Sequence, residues 1–211
     1  MSATLPIAPA NTSRSRDIVL VDAGGTNIGS VLYALQRLGA DAVMTDDAQR
    51  IRDASHVILP GVGAAKPGMQ RLRDLGLIAT IRALTQPVLG VCLGMQLLFE
   101  HSEEDDTQCL GIIPGHVRKL LPRPGLRVPH MGWNRLRVER DEAMVVSVNA
   151  SSWAYFVHSY AVPVGAYTIA STQHGDRISA MVHKDNFFGM QFHPERSAAC
   201  GARLLQEFLR Q

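Results

Sequence analysis

The chain has 211 residues, enough for one domain with a sizeable core. Hydrophobic residues at 46% and charged residues at 19% exclude a disordered chain, and a net charge of +2 without a basic block argues against a broad nucleic-acid surface. Three cysteines, Cys92, Cys109 and Cys200, form no C-x-x-C pair, which argues against a disulfide framework or zinc cluster and for reduced thiols in the cytoplasm.

Residues 1–16 mix Pro, Ala, Ser, Thr and Arg without an apolar h-region, so they read as a flexible leader ahead of a single domain over 17–211, not as a signal peptide. Ile18 to Val21 is a short apolar strand that runs into Asp22-Ala23-Gly24-Gly25. This turn does not fit G-x-G-x-x-G, so no dinucleotide site is expected. A helical pattern follows, with Ile28, Val31, Leu32, Leu35 and Leu38 at three- and four-residue spacing and Gly39 as a stop. Residues 42–45 and 56–59 read as strands, the second ending in Pro60-Gly61-Val62-Gly63. Residues 71–84 read as a helix, 88–91 as an apolar strand that runs into Cys92, and 93–101 as a helix. The most apolar stretch, 75–99, is broken by Arg82, Gln86 and Pro87, so it is not a membrane span. The acidic run 103–106 reads as a solvated loop. This alternation predicts an α/β fold, a mostly parallel sheet flanked by helices.

From about Gly115 the texture changes. Short strand-like runs at 117–120, 136–138, 153–160, 167–171, 178–183 and 187–192 are separated by Gly, Pro, Asn or Asp. They predict antiparallel strands added to the parallel core in the C-terminal half. A helix over 198–209, with Leu204, Leu205, Phe208 and Leu209 on its apolar face, closes the chain.

Gly90-Val91-Cys92-Leu93-Gly94 has the form G-x-C-x-G between a predicted strand and a predicted helix, the thiol version of a nucleophile elbow. A sharp, strained turn leaves no room for side chains beside the nucleophile, and glycines remove the collision. Backbone N–H groups at the helix start favour a thiolate. Such a thiol needs a base, and the base needs a group to hold it. Among eight histidines, His193 stands at the end of a strand-like run, followed by Pro194 and Glu195. Pro194 keeps His193 extended, and the Glu195 carboxylate lies two residues on, within reach of the imidazole. No H-x-H or H-E-x-x-H pair occurs, so no metal site is indicated.

Pro60-Gly61-Val62-Gly63, Gly90-Val91-Cys92-Leu93-Gly94-Met95-Gln96 and Phe192-His193-Pro194-Glu195, in that order, resemble the signatures of class I glutamine amidotransferases. Asp22 to Val31, Gly111 to Val117, Pro129-His130-Met131-Gly132-Trp133-Asn134 and Phe156-Val157-His158-Ser159-Tyr160 are similar to segments of one branch of that family, which supplies ammonia for histidine biosynthesis. The likeness runs from about Asp17 to the C-terminus. It departs at Ala23 and at Ala65-Lys66-Pro67, where the family more often carries aromatics.

The resemblance implies a flavodoxin-like class I amidotransferase fold with no cofactor and no metal. It implies that Cys92 attacks the side-chain amide of L-glutamine, His193 moves the protons, and Glu195 orients His193. The oxyanion would be held by the backbone N–H of Leu93 and by one from Val62 or Gly63. Gly61 and Gln96 would contact substrate. The implied partner is a (β/α)8-barrel cyclase subunit, forming a heterodimer through Asn27, Pro129, Met131, Trp133, Asn134 and Tyr160, with ammonia passing between the two. The same chemistry in the service of anthranilate or pyridoxal phosphate synthesis, or a stand-alone γ-glutamyl thiol hydrolase, is the alternative.

Overall fold

A computed structural model describes residues 17–22 and 28–211, with Ile28 as backbone only. The expected leader, residues 1–16, lies outside the described residues, as do Ala23, the Gly24-Gly25 turn and Asn27. The first half alternates strand and helix. Its elements are β1 (Ile18–Val21), α1 (Ile28–Arg37), β2 (Ala42–Thr45), α2 (Ala48–Asp53), β3 (His56–Gly61), α3 (Ala65–Asp74), α4 (Leu77–Arg82), β4 (Val88–Cys92) and α5 (Leu93–Leu97). Mostly strands follow: β5 (Phe99–Ser102), β6 (Thr107–Gln108), β7 (Ile113–Lys119), β8 (His130–Arg135), β9 (Arg137–Val138), β10 (Trp153–His158), β11 (Tyr160–Ala161), β12 (Thr168–His174), β13 (Asp176–Lys184) and β14 (Phe187–Met190). The closing helix is α6 (Ala198–Phe208).

Eight strands form one sheet in the order β2-β1-β3-β4-β14-β13-β12-β9. The five from β2 to β14 are parallel, and β13, β12 and β9 extend them antiparallel. The parallel part has the 2-1-3-4-5 order of flavodoxin-like folds, in which ligands gather at the carboxyl ends of the strands. Alternate residues of β1 serve opposite cores. Ile18 and Leu20 pack with Val31, Leu35, Leu204 and Phe208 of α1 and α6; Val19 and Val21 pack with Ile51, Met69, Leu72 and Ile81 of α2 to α4. Burial on both faces is why these strands read as unbroken apolar runs. Two smaller sheets, β10-β8 and β11-β7-β5-β6, stand beside the main one.

The helix expected over 71–84 is instead two helices. It starts earlier, at Ala65, because the Glu104 carboxylate accepts the Ala65 N–H at 2.7 Å and caps α3 from a distant segment. Pro67 sits in the first turn, where its missing N–H removes no helical bond. Gly76, at φ 66°, then turns the chain between α3 and α4. The helix expected over 93–101 ends at Leu97: from Phe99 the chain becomes a strand, held by parallel pairing of Phe99 with Ile113 and of Ser102 with Val117. The acidic run is only partly solvated. Residues Glu104–Asp106 form a 3-10 turn, and Glu103 accepts the Lys119 N–H at 2.7 Å. The short helix α2 and strand β8 add to the elements expected from the sequence. Among the described residues no helix is long and apolar enough to cross a membrane.

Candidate active site

Three adjacent parallel strands deliver the site. In β3, Gly61 pairs with Cys92 of β4, so the Val62-Gly63 loop leaves the sheet just past Cys92. On the other side of β4, Met190 of β14 pairs with Val91, which brings His193 alongside Cys92 although 100 residues separate them in sequence.

Cys92 has φ 54° and ψ −111°, outside the regions that ordinary side chains favour. The elbow survives because its neighbours lack side chains. A Cβ on Gly94 would lie 1.8 Å from the Leu59 carbonyl oxygen, and one on Gly90 would lie 2.7 Å from the Gly94 carbonyl. Gly61 belongs to the same packing: a Cβ there would meet the Gly94 nitrogen at 2.7 Å. It packs against Leu93 and Gly94 at the start of α5.

His193 Nδ1 donates to Glu195 Oε1 at 2.9 Å, and both side chains are buried. Burial disfavours the imidazolium, but hydrogen bonds to Cys92 and Glu195, with the attraction of their negative charges, outweigh it and push the His193 pKa up to about 10. The turn that holds His193 is tied down by Ser197. Its hydroxyl donates to the His193 carbonyl at 2.7 Å and accepts the Tyr155 N–H at 2.9 Å, while the His193 N–H donates to the Tyr155 carbonyl.

Cys92 and His193 open onto a cavity of about 580 Å³ that is also lined by Val62, Gly63, Leu93 and Gln96. Gln96 is buried: its Nε2 donates to the Tyr160 carbonyl at 2.9 Å and to Gln191 Oε1 at 3.0 Å. Gln191 Nε2 in turn lies 3.9 Å from Cys92 Sγ. Glu104, expected from the sequence in a solvated loop, also lines the cavity. Burial raises its pKa, and the Ala65 N–H pulls it back. Its place follows from the pairing of β5, which no local pattern announces. Val157, His158, Ser159 and Arg196 complete much of the remaining wall. The cavity is large enough for a small polar molecule against the thiol, with the Glu104 carboxylate on its wall. Among the described residues no cluster of His, Cys, Asp or Glu is arranged to hold a metal ion.

The residues expected to face a partner divide. Pro129 and Tyr160 line the cavity. Met131 and Trp133 point outward from β8, 63% and 51% exposed, opposite Val157 and Tyr155 of β10. Trp153, also exposed, lies under the Arg135 guanidinium on this face. Asn134 turns the other way, its amide donating to the Gln173 carbonyl and to His130.

Residues 19–211 match the family described as class-I glutamine amidotransferase. The imidazole glycerol phosphate synthase subunit HisH of Xanthomonas euvesicatoria pv. vesicatoria is 55% identical over 193 residues, 92% of this chain and 96% of the relative. The protein of the same description from Xylella fastidiosa (strain Temecula1) is 53% identical over the same shares. Among solved structures, a glutamine amidotransferase aligns with TM-score 0.71 at 20% identity, covering 92% of this chain and 97% of its own. PurLQS from Thermotoga maritima aligns with TM-score 0.67 at 19% identity, covering 92% and 98%.

Proposed function

Because this chain belongs to the class-I glutamine amidotransferase family, we propose that it is the glutamine-hydrolysing subunit of imidazole glycerol phosphate synthase, acting in the cytoplasm. The observation that carries the reading is that Cys92 and His193 open onto one cavity while Glu195 accepts from His193 Nδ1, in a chain 55% identical to a subunit of that synthase. Cys92 Sγ attacks the side-chain carbonyl carbon of glutamine. The tetrahedral oxyanion takes the backbone N–H of Leu93, the first residue of α5, and one from the Val62-Gly63 loop. Losing one such donor costs on the order of a hundred- to a thousandfold in rate. His193 passes its proton to the leaving nitrogen, and ammonia departs from the γ-glutamyl thioester. His193 then takes a proton from water, which attacks the thioester, releasing glutamate and restoring the thiol. Glu195 keeps the proton on Nδ1 and stabilises the imidazolium. Gln96 and the Glu104 carboxylate hold the substrate, the latter through its α-ammonium group.

The partner in this reading is a (β/α)8-barrel cyclase subunit seated on the β8-β10 face, joined through Met131 and Trp133 and receiving ammonia past Pro129. Low turnover by the isolated chain follows, since ammonia released without the partner is lost. The test is co-purification with the cyclase. Cys92→Ser should abolish glutamine-dependent synthesis of imidazole glycerol phosphate while leaving ammonia-dependent synthesis by the cyclase intact. Glutamine-dependent activity that survives Cys92→Ser, or stimulation only by a synthase outside histidine biosynthesis, sinks the proposal.

A further inference from the structure

Behind the cavity wall lies a buried histidine pair that takes no part in the chemistry above. His158 lines the cavity; His130, on β8, does not. The Tyr160 carbonyl can only accept, so His158 Nδ1, 2.8 Å from it, carries the proton. In a neutral ring Nε2 is then an acceptor, and it lies 3.0 Å from His130 Nδ1, which must donate. His130 Nε2 is left to accept from the Asn134 amide at 3.0 Å. That amide is oriented by two backbone bonds, its Nδ2 to the Gln173 carbonyl and its Oδ1 from the Arg135 N–H, both at 2.8 Å. The chain therefore runs one way, from Asn134 through His130 and His158 to the Tyr160 carbonyl.

An added proton on either ring would set two N–H groups against each other. Burial and the neighbouring His174, with His158 acting on His130 and His193 acting on His158, hold the two pKa values down to about 3 for His130 and about 4 for His158. The His130 ring is gripped as well, stacked on His174 at 4.1 Å and on Phe156 at 4.6 Å. At the far end, the Tyr160 carbonyl accepts a second bond from Gln96 Nε2, on the cavity wall.

We propose that His130 is a positioning residue for glutamine binding: it holds His158 in one tautomer and orientation, and through His158 it sets the Tyr160 carbonyl and the Gln96 amide against the substrate. The inference rests on reading the cavity as a glutamine site. Removing the His130 donor leaves a buried acceptor on His158 unpaired, at a cost in free energy. That energy acts on the wall that binds substrate and not on the thiol.

The test compares His130→Leu, which removes the donor, with His130→Asn, which keeps an N–H near the Nδ1 position, each in complex with the cyclase. Should His130→Leu not fold, His130→Gln, which displaces the donor, takes its place. Expected is a rise in glutamine KM of about tenfold in the donorless variant with kcat within about threefold, and recovery of KM to within about threefold in His130→Asn. An unchanged KM, equal damage in both variants, or a kcat that falls as far as kcat/KM overturns the proposal. Imidazole ¹⁵N spectra of the unmutated chain should give the Nδ1–H tautomer for both His130 and His158 between pH 6 and 8. An Nε2–H tautomer or a protonated ring there overturns it without any assay. If the unmutated complex fails to hydrolyse glutamine while the tautomers are as stated, the glutaminase reading has failed, and the positioning role falls with it for that separate reason.

Discussion

His193 is held charged by the partners around it. Its folded pKa is raised to about 10, because partners that favour the imidazolium outweigh a burial that opposes it. A raised pKa stabilises the fold fully below the unfolded value of about 6.5, and that contribution is lost as the pH climbs toward 10. The stability advantage of the wild type over His193→Gln should therefore be largest near pH 6 and shrink steadily to pH 10 in urea unfolding. An advantage that grows with pH would contradict the charged pairing. Glu195→Gln should lower the His193 titration followed by NMR, since one of the two supporting hydrogen-bond partners loses its charge. His193 and Glu195 were legible in sequence as a local H-P-E unit. Gln191, Ser197 and Glu104 were not, because each owes its place to contacts made across strands and loops distant in sequence.

At the scale of elements, the elbow is a packing problem solved by absent side chains. The carboxyl end of β3 passes so close to α5 that Gly94 touches the Leu59 carbonyl, and no rotamer can relieve a Cβ there, since it would meet backbone. Gly94→Ala should destabilise the protein by more than about 3 kcal/mol in urea titrations, or leave a folded chain with a displaced Cys92 and no glutamine hydrolysis. A stable, fully active Gly94→Ala would mean that β3 and α5 stand further apart. The strand–elbow–helix order was readable from G-x-C-x-G, but the length of the helix was not. Leu97, Leu98 and Phe99 continue a helical spacing, yet Phe99 is drawn into pairing with β7, and that pairing carries Glu104 of the following acidic run to the cavity. Local periodicity loses here to a strand partner fourteen residues further on. The split between α3 and α4 has a local cause, Gly76 at positive φ, within a spacing that otherwise continues.

At the scale of the molecule, an aromatic face stands next to the mouth of the cavity. Met131, Trp133 and Trp153 are exposed on β8 and β10, while Val157 of the same sheet lines the cavity. Exposed tryptophans beside a reactive site are the composition of an interface core, where a single anchor can carry 2 kcal/mol or more, roughly thirtyfold. Trp133→Ala should weaken binding of the proposed cyclase partner by at least about tenfold in calorimetry while the thermal midpoint of the isolated chain moves little; unaltered affinity would place the partner elsewhere. By itself the sequence determined the kinds and order of most elements, the strained G-x-C-x-G turn and the pairing of His193 with Glu195, because each is written in contiguous residues through periodicity, glycine placement and the reach of a side chain two positions away. Only the tertiary structure decided that β14 lies beside β4, which brings His193 to Cys92, that β5 carries Glu104 to the cavity, and that Asn134 faces inward while Trp133 faces out. Those are matters of strand order and register between segments far apart in the chain, and side-chain burial on both faces of the sheet, not any local pattern, selects them.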